Sequence, residues 1–231
     1  MLGPLVPRTK HARRLHGNLG HIQHNGQRWY FVESEVDFAE ELSKANPNTH
    51  WVSLGGAINR EKLCFDTSSA HIRDLTRQVE RAVRGHDVKA ILQIINQQIN
   101  AKALHNVNYV ENKLDELVAA RGGRSPVIMM DELIDKGWLV CRQKALIAAH
   151  LMAHLVVKKL LPAGNVRQYR SDLPGEGGAH TWSIYRDHTT GHLWHCDPHW
   201  NAVKNASTDT AQLVDLGYGK LSIDTMLERA D

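Results

Sequence analysis

Cysteine is scarce in this chain: Cys64, Cys141 and Cys196 are the only three in 231 residues. An odd and small number excludes the paired framework of a disulfide-stapled secreted domain and fits a reducing compartment. Long apolar runs are also missing. Nothing reaches 18 uninterrupted apolar residues, and the opening "MLGPLVPRTKHARRLHG" lacks an apolar signal core. A soluble protein with no membrane partner is expected, either cytoplasmic or exported without a conventional signal peptide. Charge of one sign is lacking too, since 28 Lys and Arg face 25 Asp and Glu. Much of the basic excess, Arg8, Lys10, Arg13, Arg14 and Arg28, lies where no acid occurs. The remainder is near neutral, so no nucleic-acid surface is required. There is no internal repeat, no low-complexity tract, and no CxxC or HExxH metal signature.

What is present is 42% hydrophobic residues, enough for one sizeable core. Residues 1–27 read as a flexible basic tail. "RWYFVESE" and "HWVSL" read as short strands around a helix in "VDFAEELSKA" that the "NPN" turn closes. Ile72, Leu75, Val79 and Val83 then make one helical stripe. Val88, Ile91, Leu92, Ile95 and Ile99 make a second behind the N-cap Asp87, and "NVNYVENKLDELVAA" a third, ended by Gly122 and Gly123. Residues 28–124 are therefore expected to form an N-terminal, mainly helical lobe, with the chemistry carried by 125–231.

Gly137 suits the C′ position of a short helix, and Trp138-Leu139-Val140 lead into a longer one starting near Cys141. Ala145, Ala148, Ala149, Met152, Leu155 and Val156 recur at helical spacing with Leu146, Ile147 and Leu151 on a flank, so this helix should be central and buried. A cysteine on its first turn sits at the positive end of the helix dipole, a position that suits a nucleophile, although free cysteine often simply packs.

Residues 177–200, "GGAHTWSIYRDHTTGHLWHCDPHW", hold five histidines, one cysteine, two aspartates and three tryptophans. They read as a hairpin turning at "DHTT". Pairing Arg186 with Gly191 sets His180 directly opposite Asp197, where the carboxylate would orient the imidazole. Trp182 would shield the pair, and Gly177 and Gly178 leave room for an acyl group or peptide to approach. A metal reading is disfavoured. Along a strand His192 and Cys196 face one way and His195 and Asp197 the other, so with His199 they do not converge, and His150 with His154 is a helix-face pair. No metal and no cofactor are expected.

A cysteine at a helix start, a histidine on a strand after a glycine-rich turn and an aspartate closing the next strand resemble the transglutaminase-like superfamily, a relative of papain. The matching text is "GWLVCRQKALIAAHL" and "GGAHTWSIYRDHTTGHLWHCDPHW". The resemblance implies an α+β fold in which a central Cys-bearing helix packs on an antiparallel sheet. It implies a triad of Cys141 as nucleophile, His180 as base and then acid, and Asp197 as orienting group. Trp138, Gly178 and Trp182 would contact substrate, and Trp138 and Gln143 are the nearest candidates for a second oxyanion donor. The implied activity is thiol-dependent acyl transfer or hydrolysis on a protein or peptide, with a glutamine side chain as the favoured target. Proteases, amidases, inactive binding modules and bacterial effectors or toxins share the fold.

Overall fold

The apolar run after Val140 does form a helix whose first residue is Cys141. A computed structural model describes residues 21–24, 26–32, 36–44, 49–53, 60–123, 126–172 and 179–229. In chain order its elements are β1 (His21–His24), β2 (Gln27–Phe31), α1 (Phe38–Lys44), β3 (Thr49–Ser53), β4 (Lys62–Phe65), α2 (Ala70–Ala82), α3 (Val88–Asn100), α4 (Val107–Ala120), β5 (Val127–Met129), α5 (Met130–Lys136), α6 (Cys141–Val157), β6 (Gly164–Asp172), β7 (Ala179–Asp187), β8 (Leu193–Asp197), β9 (Ala202–Asn205), α7 (Thr210–Asp215) and α8 (Lys220–Arg229). The class is α+β, as expected. No single helix among the described residues is long and apolar enough to cross a membrane.

The chain divides into two compact units that interleave along the sequence. One comprises residues 1–36, 44–75 and 102–140; the other comprises 37–43, 76–101 and 141–231. This differs from a linear boundary near residue 124, because α3 packs with α6 and β9. Helical periodicity shows which face of α3 is buried without showing what covers it.

The first unit is built on a five-stranded sheet in the order β1-β2-β3-β4-β5, with β2/β3 and β4/β5 parallel and the other pairs antiparallel. The expectation of a mainly helical lobe over 28–124 missed this sheet. The expected tail also ends earlier than residue 27, since β1 pairs with β2 around Gly26, whose positive φ makes the turn. Residues 1–20 and the "NPN" turn lie outside the described residues. Gly137 has φ 68° and closes α5, with its N–H bonded to Ile134 O and that of Trp138 bonded to Leu133 O. This is the left-handed C′ glycine that the sequence announces.

The second unit has an antiparallel sheet in the order β6-β7-β8-β9. Helices α6 and α3 lie on one face, where Ser183 Oγ donates to Ala145 O at 2.7 Å and Cys196 Sγ to Asn96 Oδ1 at 3.2 Å. Alternation along the strands turns their neighbours the other way. There Tyr169, Trp182, Ile184 and Leu193 meet Leu213 of α7, Tyr218, and Ile223 and Met226 of α8. Helix α6 is therefore apolar around most of its circumference because it is covered on most sides, and Asp87 caps α3 by accepting from Ala90 N. The hairpin register differs from expectation by two residues. Ser183 pairs with Cys196 and Arg186 with Leu193, because the turn is longer than four residues and Asp187 N bonds His192 O. Continued past Ser183, this register sets Trp182 rather than His180 opposite Asp197. A slip of two keeps every side chain on its face, so His180 and Asp197 become diagonal neighbours rather than separated ones.

Candidate active site

All three residues of the expected triad belong to the second unit. His180 stands near the start of β7, beyond the last β7–β8 pair and beside Ser171 of β6. Its Nε2 lies 2.6 Å from Asp197 Oδ2, which makes Nε2–H the donor and leaves Nδ1 for the hydrogen bond with Cys141. Of the three cysteines, Cys141 alone is partly exposed. Burial pushes the Cys64 thiol up to about 12 and the Cys196 thiol higher still, so both are held as inert thiols at neutral pH.

Asp197 is completely buried, and its carboxylate is fully engaged. Oδ2 accepts from His180 and from the Tyr218 hydroxyl, each at 2.6 Å; Oδ1 accepts from the backbone N–H of His199 at 2.8 Å and of Trp200 at 3.3 Å. Burial acts to raise its carboxyl, but the hydrogen bond and charge of His180, with smaller help from His195 and Tyr218, outweigh burial and hold it below the usual carboxylate value. Its backbone is pinned as well. Asn96 Nδ2, from α3, donates to Asp197 O at 3.2 Å and to Ala202 O at 3.3 Å.

The opposing effects at His180 resolve toward charge. Burial disfavours the imidazolium, yet hydrogen bonds to Asp197 and Cys141 and the charges of both raise its value from 6.5 to about 9. The ring therefore carries two protons at neutral pH. Trp200 lies flat against it, with centroids 4.3 Å apart and planes 12° from parallel, a stacking that favours the charged ring. His199, 5.6 Å away, is driven down to about 4 mainly by burial and stays neutral, as does the fully buried His195 beneath Tyr218.

The expected substrate contacts fare differently. Trp182 does neighbour His180, at 5.8 Å, but it is 0% exposed and its Nε1 donates to Met226 Sδ, so it packs as part of the wall behind the imidazole and presents no exposed surface. Trp138 is half-buried with the Lys136 ammonium 5.2 Å above its ring, and it belongs to the first unit. Gly178 and Gly177 lie outside the described residues. Gln143 is completely buried within α6.

Four contributors are absent from the expectations drawn from the sequence. Trp200 is visible in "DPHW", but only the turn after Pro198 brings it back over His180. Tyr218 lies 21 residues from Asp197 with no local signal. Asn96 and Lys144 did carry a signal: each is a polar residue on a helix face otherwise filled by apolar ones. Among the described residues no group of three or more His, Cys, Asp or Glu is arranged to hold a metal ion. Set against protein-family models, curated proteins and solved structures, the chain matches none.

Proposed function

We propose that this protein is a thiol-dependent acyltransferase or hydrolase acting on a carboxamide or peptide bond, with a papain-like, transglutaminase-like core. The observation that carries the proposal is His180, bonded at Nε2 to a buried, fully hydrogen-bonded Asp197 and at its other nitrogen to the one partly exposed cysteine. Cys141 Sγ attacks the carbonyl carbon, and the His180 imidazolium gives a proton to the leaving amine as the C–N bond breaks, leaving a thioester. Water or a second amine then attacks the thioester, His180 takes the proton of that nucleophile, and Sγ departs. The backbone N–H of Cys141, at the positive end of α6, would stabilise the developing oxyanion. Asp197 orients the ring and stabilises the imidazolium without accepting its proton.

A glutamine side chain in a protein is the favoured acyl donor, as the order of the three residues along the chain resembles that superfamily. Incubation of candidate protein substrates with and without added amine, followed by intact-mass measurement, separates deamidation, transamidation and cleavage. Activity should vanish in Cys141→Ala and persist in Cys64→Ala and Cys196→Ala. Turnover retained by Cys141→Ala rejects the assignment.

A further inference from the structure

One charged group beside the triad has no part in the steps above. Lys144 lies one turn after Cys141 on α6, within an otherwise largely apolar stretch, and is only 7% exposed. An ammonium withdrawn from water costs several kcal/mol unless it is paired. Its hydrogen bond goes to a neutral partner, Asn100 Oδ1 at 2.8 Å, and among the described residues no carboxylate forms an ion pair with it. The anions whose charge it feels are Asp197 and Cys141. Burial lowers its value, and those two charges work against that lowering.

The charges around the sulfur can be counted. His180 from β7 contributes one positive charge and Asp197 from β8 one negative charge, which cancel. His199, after β8, feels Lys144 and is neutral at neutral pH, and Asn100 of α3 is uncharged. Among these groups the charge facing a Cys141 thiolate sums to zero without Lys144 and to plus one with it; the guanidinium of Arg142, next to Cys141 on α6, is the same in every variant and does not enter the comparison. Neither the nucleophile, the base nor the orienting carboxylate supplies that excess.

We propose that Lys144 is a fourth member of the site, a positioning residue whose buried ammonium gives the surroundings of the Cys141 sulfur a net positive charge and biases the sulfur toward anionic electrophiles and anionic transition states. The inference rests on Cys141 being the nucleophile. It also says why a lysine persists on a buried helix face where a methionine would fill the space at lower cost.

The test compares two alkylating reagents that differ in charge and little in size, iodoacetate and iodoacetamide, with the rate at Cys141 followed by peptide mass spectrometry near neutral pH. The ratio of the two rates is independent of how much thiolate is present, so a general loosening of the site leaves it unchanged. The folded protein should show a ratio about three- to tenfold above that of the same cysteine in the urea-unfolded chain, the size expected for one charge several ångströms away. Lys144→Met should bring it down to the unfolded ratio. Lys144→Gln retains a donor for Asn100 and should do the same, and the comparison of folded with unfolded wild type stands even where a variant does not fold. A wild-type ratio equal to that of the unfolded chain, or one that both variants preserve, overturns the role of Lys144 while leaving the thiol mechanism intact. Cys141 reacting no faster than an unfolded thiol with either reagent overturns the proposed function and this inference together.

Discussion

At the scale of single residues, Asp197 shows how a carboxylate can be buried without being destabilised: each oxygen has two donors, and one of the four is charged. Asp197→Asn keeps the volume and an oxygen for the His199 and Trp200 amides, but it presents a neutral group to the ring and can offer NH₂ where Nε2 is already a donor. Turnover should fall on the order of 10³-fold or more, while the fold survives a stability loss of about 3 kcal/mol. Steady-state rates and urea midpoints measured on the same preparation separate the two. Asp187 is the control. It too is buried, yet its contacts are with Thr189 N and the Thr190 hydroxyl inside the hairpin turn, so Asp187→Asn should leave turnover near wild type. Tyr218→Phe removes one hydrogen bond to a charged acceptor and nothing else of its volume. A loss of about 1.5–3 kcal/mol of unfolding free energy, read as a lower urea midpoint, is expected, and no loss would mean that the hydroxyl does not bear on Asp197.

At the scale of elements, the β6–β7 ladder pairs all nine residues of both strands, and Gly164 is where it closes. A Cβ there would meet Arg186 O at 2.2 Å and Tyr185 Cε2 at 2.5 Å, and the first of these is backbone and cannot turn aside. Gly164→Ala should cost about 1–3 kcal/mol or more, read as a lower urea midpoint with unchanged slope. Nothing in "LPAGNV" marks this glycine, because its φ is ordinary and the obstacle is 22 residues away. The same division explains what could be read from the sequence. Asp87, Gly137 and the start of α6 at Cys141 were legible because capping and left-handed backbone are chemistry of a few adjacent residues. His180 and Asp197 were legible as partners because alternation along a strand survives a two-residue error in register. The five-stranded sheet, the placement of α3 against β9, and Trp200 and Tyr218 around His180 were not, since each depends on which distant surface an apolar stripe chooses to cover. Residues 28–124 look helical in sequence because three strong stripes outweigh four- and five-residue strands, whose apolar runs do not by themselves distinguish a sheet from a core helix.

At the scale of the whole molecule, three histidines of the second unit set the pH at which the fold is most stable. The folded value of His180 is raised from 6.5 to about 9, so the native chain holds a proton that the unfolded chain has released; this contribution is complete below pH 6.5 and is lost as pH rises through 9. His195 and His199 go the other way, from 6.5 to about 4, so the unfolded chain takes up protons that the native chain refuses. Their contribution is present above pH 6.5 and is lost as pH falls toward 4. Asp197, held low, and Asp66, held at about 2 chiefly by its hydrogen bond to His50, extend the acid loss below 3.8. Lys144 opposes the alkaline loss near the top of the range, while the raised thiols of Cys64 and Cys196 reinforce it above pH 9. Stability should therefore peak near pH 6.5, with an acid limb of about two protons and an alkaline limb of about one, or roughly 2.7 and 1.4 kcal/mol per pH unit. Urea unfolding at intervals from pH 4.5 to 9 measures both slopes. His180→Ala should flatten the alkaline limb and leave the acid limb in place, whereas an alkaline limb that survives in that variant would mean that His180 is not the group protonated in the folded protein, and the charge assigned to the candidate site would have to be withdrawn.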